Sequence, residues 1–384
     1  MKILTVFGTR PEAIKMVPVV HALEREPGIT AEVCVTGQHR EMLDQVLQLF
    51  DVTPDYDLDV MRSASGLTAT TAAVLTGLEP ILARSKPDRI LVHGDTATTL
   101  AASLAAYYQR IPVGHVEAGL RSGDIYQPWP EEVNRRIADV ICDHFYAPTE
   151  HARENLLREN VPADRIFVTG NTVIDALFAM LDKIEREPSL RRALEERFSF
   201  LDVNRRLLLV TGHRRENFGP AFENICHAIR KLVAVHDIEV VYPVHLNPAV
   251  QKPVHAILGG QERIHLIGTL DYAPFVYLMK RAHVILTDSG GIQEEAPSLN
   301  KPVFVMRNVT ERPEALAAGS IKLVGTEIRR IVEEVSEVLD RKDAYEAMIN
   351  KINPYGDGTA AQRIARIISR SHEPRNSKIT EVVT

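Results

Sequence analysis

The stretch ILTVFGTRPEAIK, residues 3–15, carries the two signals that decide the fold. Ile3 to Phe7 form a short apolar run that is typical of a buried strand. Gly8 then provides a turn, and Pro11 stands where a helix tolerates proline, in its first turn. A strand that passes through a glycine turn into a helix predicts one unit of an α/β fold with a parallel sheet.

The same alternation of short strands and longer helical segments repeats along the chain in two series. The predicted strands of the first series are Ile3 to Phe7, Val33 to Thr36, Arg89 to His93, Val113 to Val116, Phe145 to Ala147 and Ile166 to Thr169. Those of the second are Leu207 to Thr211, Val240 to Pro243, Ile264 to Ile267, Val284 to Thr287 and Pro302 to Val305. We therefore predict an α/β fold with two doubly wound, Rossmann-like parallel sheets whose domains face a cleft.

The expected domain boundary lies in the charged, helix-favouring stretch from Leu181 to Arg206. This places one domain at residues 1–180 and the other at 181–358. NPYGDG, residues 353–358, then breaks the chain before an amphipathic helix at 359–371, which we expect to join the N-terminal domain. The polar residues 372–384 are expected to be a disordered tail.

Composition excludes several classes of protein. The chain has 384 residues, of which 45% are hydrophobic and 25% are charged, as in soluble globular proteins with two domains. A net charge of −6 lacks the basic footprint of a nucleic-acid-binding protein. Cys34, Cys142 and Cys226 show neither zinc-ligand spacing nor a disulfide framework, which indicates a reducing, cytoplasmic setting. The apolar runs are too short for a signal peptide or a membrane span.

Ligands of open α/β sheets bind beyond the carboxyl ends of the strands, so the loops after strands are the places to search for function. After the first strand, Arg10 and Lys15 flank the predicted helix start. Free backbone N–H groups attract anions there, and two cations make a diphosphate or sugar-phosphate site reasonable. The structural alternative is a helix start with solvated charges.

Three acidic residues follow neighbouring elements of the first domain. Asp95 lies in HGDTATT, residues 93–99, Glu117 in HVEAGLRS, residues 115–122, and Glu131 in QPWPEEVNRR, residues 127–136. Singly, Asp95 could be a helix N-cap and Glu131 could form an i,i+4 pair with Arg135. Together the three carboxylates are a candidate acid–base group. Their spacing, with the nearby histidines, is not that of a metal site, and we predict no metal.

The predicted second domain offers basic and glycine-rich loops. TGHRRENFG, residues 211–219, supplies His213, Arg214 and Arg215, which suit a phosphate, and the histidine could also transfer a proton. The alternative for this histidine is a capping or core position. His245, in YPVHLNP at residues 242–248, carries a weaker functional claim.

The richest loop is TDSGGIQEEAPSLNKP, residues 287–302. Gly290 and Gly291 after Ser289 would let the backbone approach a pyrophosphate closely, although a simple tight turn is the alternative. Glu295, one turn into the helix, could accept hydrogen bonds from ribose hydroxyls. Arg312 follows the next strand, in NVTERPEA at residues 308–315.

Many ordered motifs together resemble one family, the bacterial non-hydrolysing UDP-N-acetylglucosamine 2-epimerases, over roughly Met1 to Ser371. The motifs that carry the resemblance are GTRPEAIKM, QHREMLDQVL, VHGDTATTLAASLAAYYQRIPVGHVEAGLRSGD, PWPEE, TGNTVIDAL, TGHRREN, YPVHLNP, SGGIQEEAPSL and TERPEA. The resemblance implies a GT-B-like fold, a homodimer, no cofactor, and reversible conversion of UDP-N-acetylglucosamine to UDP-N-acetylmannosamine.

The resemblance also implies roles by position. The residues that resemble diphosphate and sugar contacts are Arg10, Lys15, His213, Ser289, Gly290, Gly291 and Arg312. Glu295 resembles the ribose ligand, and Leu270 and Phe275 resemble the uracil wall. Asp95, Glu117 and Glu131, with His213, resemble the acid–base set. The domain at 1–180 would then hold the sugar and acid–base groups, and the domain at 181–358 would bind UDP.

Some relatives in this family are activated by their own substrate, which binds at a second, allosteric site. Gln38, Arg214 and His245 match that site, whereas Ala64 stands about where an arginine lies in those relatives.

The resemblance implies elimination of UDP to give 2-acetamidoglucal, followed by re-addition, in a pathway that supplies bacterial surface polysaccharides. A hydrolysing epimerase, a GT-B glycosyltransferase and a nucleotide-sugar sensor are the alternatives that the residues leave open.

Overall fold

The computed structural model describes residues 1–37, 40–62 and 66–372. The chain divides into two compact units. Unit 1 comprises Met1–Ala176 and the described residues from Gly358 onward, and unit 2 comprises Leu177–Asp357. Each unit is built on its own parallel sheet, which confirms the predicted fold class of two doubly wound, Rossmann-like sheets. Gln38, Ala64 and residues 373–384 of the expected tail lie outside the described residues.

The sheet of unit 1 has seven strands within the described residues, in the order β3-β2-β1-β4-β5-β6-β7. The strands are β1 (Lys2–Phe7), β2 (Thr30–Val35), β3 (Tyr56–Asp57), β4 (Arg89–His93), β5 (Val113–Val116), β6 (His144–Ala147) and β7 (Ile166–Val168). The winding reverses between β1 and β4, and loops that follow strands on either side of such a point form a crevice for ligands. The two-residue edge strand β3 was not predicted.

The helices that cover this sheet begin with α1 directly after β1. They are α1 (Arg10–Arg25), α2 (Arg40–Leu49), α3 (Leu67–Ser85), α4 (Ala97–Tyr108), α5 (Glu131–Ile141), α6 (Glu150–Arg158) and α7 (Thr172–Arg186). The division between the units falls inside α7, between Ala176 and Leu177. It therefore precedes the charged stretch in which the sequence places the boundary.

Unit 2 repeats the design with the strand order β10-β9-β8-β11-β12-β13. Its helices and strands are α8 (Pro188–Arg197), β8 (Arg206–Thr211), α9 (Pro220–Val235), β9 (Ile238–Pro243), α10 (Pro248–Leu258), β10 (Ile264–Ile267), α11 (Tyr272–Arg281), β11 (Val284–Thr287), α12 (Gly290–Glu295), β12 (Val303–Val305), α13 (Pro313–Ala317), β13 (Ile321–Leu323), α14 (Ile328–Asp340) and α15 (Lys342–Met348).

The last helix, α16 (Ala360–His372), belongs to unit 1 and packs against α1. Asp175 at the start of α7 accepts hydrogen bonds from the backbone N–H groups of Ala360 (3.2 Å) and Ala361 (2.9 Å). Arg363 donates from Nη1 to the carbonyl oxygen of Thr169 at 3.0 Å. These bonds fix the first turn of α16 to the start of α7.

Each unit has its own apolar core. Both faces of the sheets are covered, so that consecutive strand residues such as Ile3 and Leu4 in β1 or Leu209 and Val210 in β8 are fully buried. Such continuous apolar strands are typical of parallel sheets between helical layers.

Within the described residues, no helix combines the length and the apolar character that a bilayer crossing needs.

The start of α1 is fixed by a buried carboxylate. Thr9 is the N-cap, and Glu12 completes a capping box with its side chain only 2% exposed. Glu12 Oε2 accepts from the N–H groups of Gly8 (3.0 Å) and Thr9 (2.8 Å), while Oε1 accepts from Thr96 Oγ1 at 2.6 Å. Burial raises the pKa of Glu12, although these donors oppose the shift. Glu12 thereby joins the loop after β1 to the loop after β4.

Gly8 cannot carry a side chain at this point. A Cβ atom built on Gly8 would lie 1.9 Å from Thr36 Oγ1 and 2.7 Å from Thr98 Oγ1. The loops after β1, β2 and β4 therefore meet at a distance that only glycine allows.

Replacing Glu12 tests this junction. We expect Glu12→Ala to lower the free energy of unfolding by about 2–4 kcal/mol, because it leaves two buried N–H groups without their acceptor and opens a cavity. Urea denaturation measures the loss. Glu79→Ala, an exposed glutamate-to-alanine change within α3, is the matched control and should change stability by less than about 1 kcal/mol. Equal losses in the two variants would contradict the assignment.

Candidate active site

The acidic residues of unit 1 lie at the carboxyl edge of its sheet. Asp95 follows β4 after Gly94, and Glu117 follows the neighbouring strand β5 directly. Glu131 is the first residue of α5, the helix that comes next along the chain. The fold thus brings Asp95 and Glu117 to adjacent strand ends, as the sequence predicts.

Glu117 is held in a strained and largely buried position. Its φ of +65° lies in the left-handed region, which costs a residue other than glycine free energy. Its Oε2 atom contacts the ammonium of Lys15 and accepts a hydrogen bond from Asn171 Nδ2 at 2.7 Å. The side chains of Glu117 and Lys15 are 9% and 16% exposed. Surrounding contacts therefore fix this carboxylate, and strained residues of this kind cluster at functional sites.

Lys15 is consequently not a solvated charge at a helix start, so that alternative is wrong for this residue. Its contact with a ligand phosphate remains a prediction, because the partner that the structure shows is the carboxylate of Glu117. Arg10, the first residue of α1, is partly buried at the same helix start.

Asp95 is oriented by α5. Its carboxylate contacts Arg135 Nη2, and its main-chain oxygen accepts from Asn134 Nδ2 at 2.9 Å. The N-cap of α4 is Thr96, whose hydroxyl accepts from the N–H group of Thr99, so the N-cap alternative for Asp95 is wrong. Asp95 is therefore held by residues of α5, and its side chain remains partly accessible.

Glu131 differs from the other two acids. The observed partners of Arg135 are Asp95 and Glu132, and its Nη1 atom lies 3.4 Å from Glu132 Oε2. Glu131 Oε2 is buried and makes no hydrogen bond with the described residues. Buried carboxylate oxygens normally have a donor, so this atom fits an acceptor or proton-transfer position for a ligand.

Two buried histidines lie behind the acids, and sequence reasoning considered them only as metal ligands. His115 faces Asp139 Oδ1 from Nδ1 at 2.6 Å and the carbonyl oxygen of Gly94 from Nε2 at 2.7 Å. A carbonyl oxygen only accepts, so Nε2 must donate to Gly94. His115 thereby fixes the peptide that precedes Asp95.

Asp139 is the buried anchor of this chain of contacts. Burial would raise its pKa, but His115 and Arg121 outweigh that effect and lower it. Arg121 donates from Nη2 to Asp139 Oδ2 at 2.7 Å. In the sequence, His93 stands two residues before Asp95 and His115 stands two residues before Glu117. This repeated spacing is the local pattern that indicates the arrangement.

His93 is the last residue of β4 and has a different environment. It is 4% exposed, and neither of its buried ring nitrogens makes a hydrogen bond with the described residues. Its Nε2 atom lies 3.8 Å from Glu117 Oε1. Burial, together with Lys15 and His115, lowers the pKa of His93 to about 3, although Glu117 opposes the shift. The ring is therefore neutral at physiological pH.

In unit 2 a buried carboxylate organises the loop that carries His213. Asp288, which follows β11, accepts from the N–H groups of His213 and Arg214, both at 2.9 Å, and from Asn217 Nδ2 at 3.2 Å. The sequence did not single out Asp288. Because it binds main-chain donors at the end of β8, it fixes the backbone from which the His213 ring projects.

The ring of His213 is 42% exposed, which excludes a core position for it. It stacks on the ring of His245 with centroids 5.4 Å apart, and its Nδ1 atom lies 3.7 Å from Asp288 Oδ1. Partial burial lowers the pKa of His213 and Asp288 opposes the shift, while His245 and Arg214 add to it. The structure therefore brings His213 and His245 together.

Two guanidinium groups converge on Gly290. A Cβ atom built there would lie 3.6 Å from Arg214 Nη2 and 3.7 Å from Arg312 Nη2. Arg312 also contacts the carboxylate of Glu294 through Nε. Two cations above the glycine turn after β11 suit an anion, and planar guanidinium groups suit phosphate oxygens in particular. Arg214, a candidate allosteric residue by sequence, thus lies beside the predicted diphosphate contacts.

Glu295, the last residue of α12, is linked to α11. The hydroxyl of Tyr272 donates to Glu295 Oε1 at 3.3 Å, and burial with Glu295 raises the pKa of this tyrosine. Tyr272 was missed by sequence reasoning. Leu270 and Phe275, predicted as the uracil wall, are partly buried just before and within α11. The structure therefore places the predicted ribose and uracil contacts on connected elements.

A family model described as UDP-N-acetylglucosamine 2-epimerase matches residues 21–369. The chain belongs to this family. It is 60% identical to a UDP-N-acetylglucosamine 2-epimerase of Yersinia pestis over 97% of this chain and 99% of the relative. An Escherichia coli enzyme of the same name is 59% identical, again over 97% of this chain and 99% of the relative.

A solved structure extends the comparison to the fold. The UDP-GlcNAc 2-epimerase from Neisseria meningitidis, bound to UDP-GlcNAc, superposes with a TM-score of 0.88 at 51% identity. The match covers 96% of this chain and 100% of that chain. The likeness therefore extends over both units of this epimerase family member.

Replacing Asp139 tests the anchor behind Asp95. We expect Asp139→Asn to cost about 3 kcal/mol of unfolding free energy at neutral pH, because it leaves His115 and Arg121 without their buried anion. Since the folded state depresses the pKa of Asp139, its contribution is present above the unfolded pKa and is lost as pH falls through the folded one. The gap between wild type and variant should therefore narrow below about pH 4.

Chemical denaturation at several pH values measures this gap. Asp182→Asn, in the exposed pair with Arg186 on α7, is the matched control and should cost less than about 1 kcal/mol. The role of Asp139 would be contradicted if the difference in unfolding free energy between wild type and Asp139→Asn were small at neutral pH, or if it increased on acidification.

Proposed function

We propose that this epimerase reversibly converts UDP-N-acetylglucosamine to UDP-N-acetylmannosamine without releasing free sugar. The observation that carries the proposal is the fixed carboxylate of Glu117, held by Lys15 and Asn171 beside Asp95. Family membership supports the substrate, because a relative that is 51% identical binds UDP-GlcNAc.

The chemistry explains why several acids are needed. The hydrogen on carbon 2 of the sugar is not next to a carbonyl group and is weakly acidic. We propose that the bond from carbon 1 to UDP breaks first, with its electron pair leaving on UDP. A carboxylate then takes the proton from carbon 2, and the double bond of 2-acetamidoglucal forms. A proton returns to the opposite face of carbon 2, and a UDP oxygen adds back to carbon 1.

Unit 1 supplies the acid–base groups in this proposal. Proton removal and return on opposite faces require acids on both sides of the ring, for which Asp95, Glu117 and Glu131 are the candidates. The ammonium of Lys15 favours the charged, basic form of Glu117. Arg10 contributes a sugar or diphosphate contact.

Unit 2 binds the nucleotide in this proposal. Arg312 and Arg214 above Gly290, with Ser289, Gly291 and His213, stabilise the charge that develops on the departing diphosphate. The ribose hydroxyls bind Glu295, which Tyr272 orients. Leu270 and Phe275 contact the uracil. No cofactor takes part, because the electrons that leave carbon 1 return to it.

The setting of the reaction is also part of the proposal. We place it in the cytoplasm, where nucleotide sugars are found, and assign its product to bacterial surface polysaccharides.

We further propose a homodimer. Tyr107 and Tyr108 at the end of α4 and Val140 on α5 are exposed hydrophobic residues that a second copy would cover in this proposal. Light scattering that gives the mass of one chain would contradict the dimer.

Incubation with UDP-N-acetylglucosamine in heavy water tests the function. We expect the manno epimer to appear, still linked to UDP, with deuterium at carbon 2 and without any added cofactor. A hydrolysing epimerase would instead release free N-acetylmannosamine and UDP. A glycosyltransferase would need an acceptor and show no exchange, and a sensor would leave the donor unchanged. Any of these three results would overturn the proposal.

The acids are tested by isosteric amides. We expect Asp95→Asn, Glu117→Gln and Glu131→Gln each to slow turnover by on the order of a hundredfold or more, because each removes a group that transfers or orients a proton. Glu150→Gln, at an exposed position on α6, is the control and should keep wild-type rates. Near-normal turnover in all three acid variants would contradict the assignment.

A further inference from the structure

His93 is a buried polar side chain that the reaction as described does not use. It ends β4 with 4% exposure, and its two ring nitrogens make no hydrogen bond with the described residues. Buried polar groups usually have partners, and a role in catalysis is one explanation for an exception. Glu117 Oε1 lies 3.8 Å from Nε2 of His93.

The surroundings of His93 keep it uncharged. Burial opposes a second proton, and Lys15 from α1 and His115 from β5 oppose it as well. Glu117, which directly follows β5, is the charged group that favours protonation. A neutral imidazole has one N–H donor and is a poor proton acceptor in this environment. His93 can therefore donate a hydrogen bond to Glu117 without competing for the proton that Glu117 carries.

We propose that His93 is a positioning residue for Glu117, donating from Nε2 to Glu117 Oε1 when that carboxylate exchanges a proton with the sugar. The inference rests on the proposed epimerase function. A hydrogen bond needs a separation of about 3 Å, so a movement of less than about 1 Å closes the gap. Glu117 takes the proton from carbon 2 and releases it to water, an acid on the opposite face supplies the proton that returns to carbon 2, and His93 keeps its own proton throughout.

The opposing explanation is that His93 only fills space between β4 and β5. A phenylalanine would then serve equally well. The positioning role needs a donor at Nε2, whereas space filling needs no nitrogen. The amide nitrogen of glutamine lies near the place of Nε2, and that of asparagine lies near the place of Nδ1. His93→Phe, His93→Gln and His93→Asn therefore separate them.

The experiment measures kcat, KM and the pH dependence of kcat for the three variants of the full-length chain. We expect His93→Phe to lower kcat about tenfold, the effect of one hydrogen bond made during the reaction, with KM changed less than about twofold. The acidic limb of the profile should move to higher pH, because a carboxylate that loses a donor takes up its proton more readily. His93→Gln should restore most of the loss, and His93→Asn should not.

His144→Phe is the matched control. His144 is a partly buried histidine that begins β6, so it lies at the amino ends of the strands of the same sheet, whereas His93 lies at their carboxyl ends. Burial also lowers the pKa of His144, to about 4. This variant should keep the wild-type pH profile. Where His93→Phe does not fold, the comparison of the glutamine and asparagine variants carries the test.

The outcomes distinguish the inference from the function. If His93→Phe keeps the wild-type kcat and pH profile, the inference is overturned but the proposed function is not. An equal loss of kcat in His93→Gln and His93→Asn has the same consequence. A wild-type chain that yields neither the manno epimer nor deuterium at carbon 2 overturns the proposed function, and with it the role of His93.

Discussion

The contact between Lys15 and Glu117 is the constraint on which the rest of unit 1 depends. It joins residues far apart in the chain, and it exists only because α1 begins immediately after β1 and carries Lys15 toward the end of β5. The buried capping carboxylate of Glu12 fixes that beginning. Glu117 must in turn adopt a left-handed backbone conformation. Strain in one residue is thus balanced by an ion pair that the parallel sheet brings together.

Unit 2 uses a buried carboxylate for a different purpose. Asp288 accepts from main-chain N–H groups and so fixes a loop, whereas its own charge is hidden from the surface. In the same unit the guanidinium groups of Arg214 and Arg312 lie close to Gly290. Within the described residues, unit 1 thus holds carboxylates fixed by neighbouring side chains, and unit 2 holds two guanidinium groups beside a glycine turn.

Local patterns in the sequence predict most of the strands, the start of α1 and the candidate loops after the strands, because strand and helix periodicities depend on near neighbours. They do not predict that Lys15 pairs with Glu117, because that outcome depends on tertiary contacts, and they leave the N-cap of α4 open between Asp95 and the threonines that follow it. His93 and His115 show the same limit. Each stands two residues before a candidate acid, yet His115 is hydrogen-bonded through both ring nitrogens, whereas His93 makes no hydrogen bond with the described residues.

The central claim is that carboxylates of unit 1 surround carbon 2 of a nucleotide-linked sugar. A crystal structure of the chain with UDP-N-acetylglucosamine bound measures this most directly. We expect a carboxylate oxygen of Glu117, Asp95 or Glu131 within about 3–3.5 Å of the reacting position on the ring, with Lys15 still in contact with Glu117. A bound sugar from which all three acids point away would contradict it.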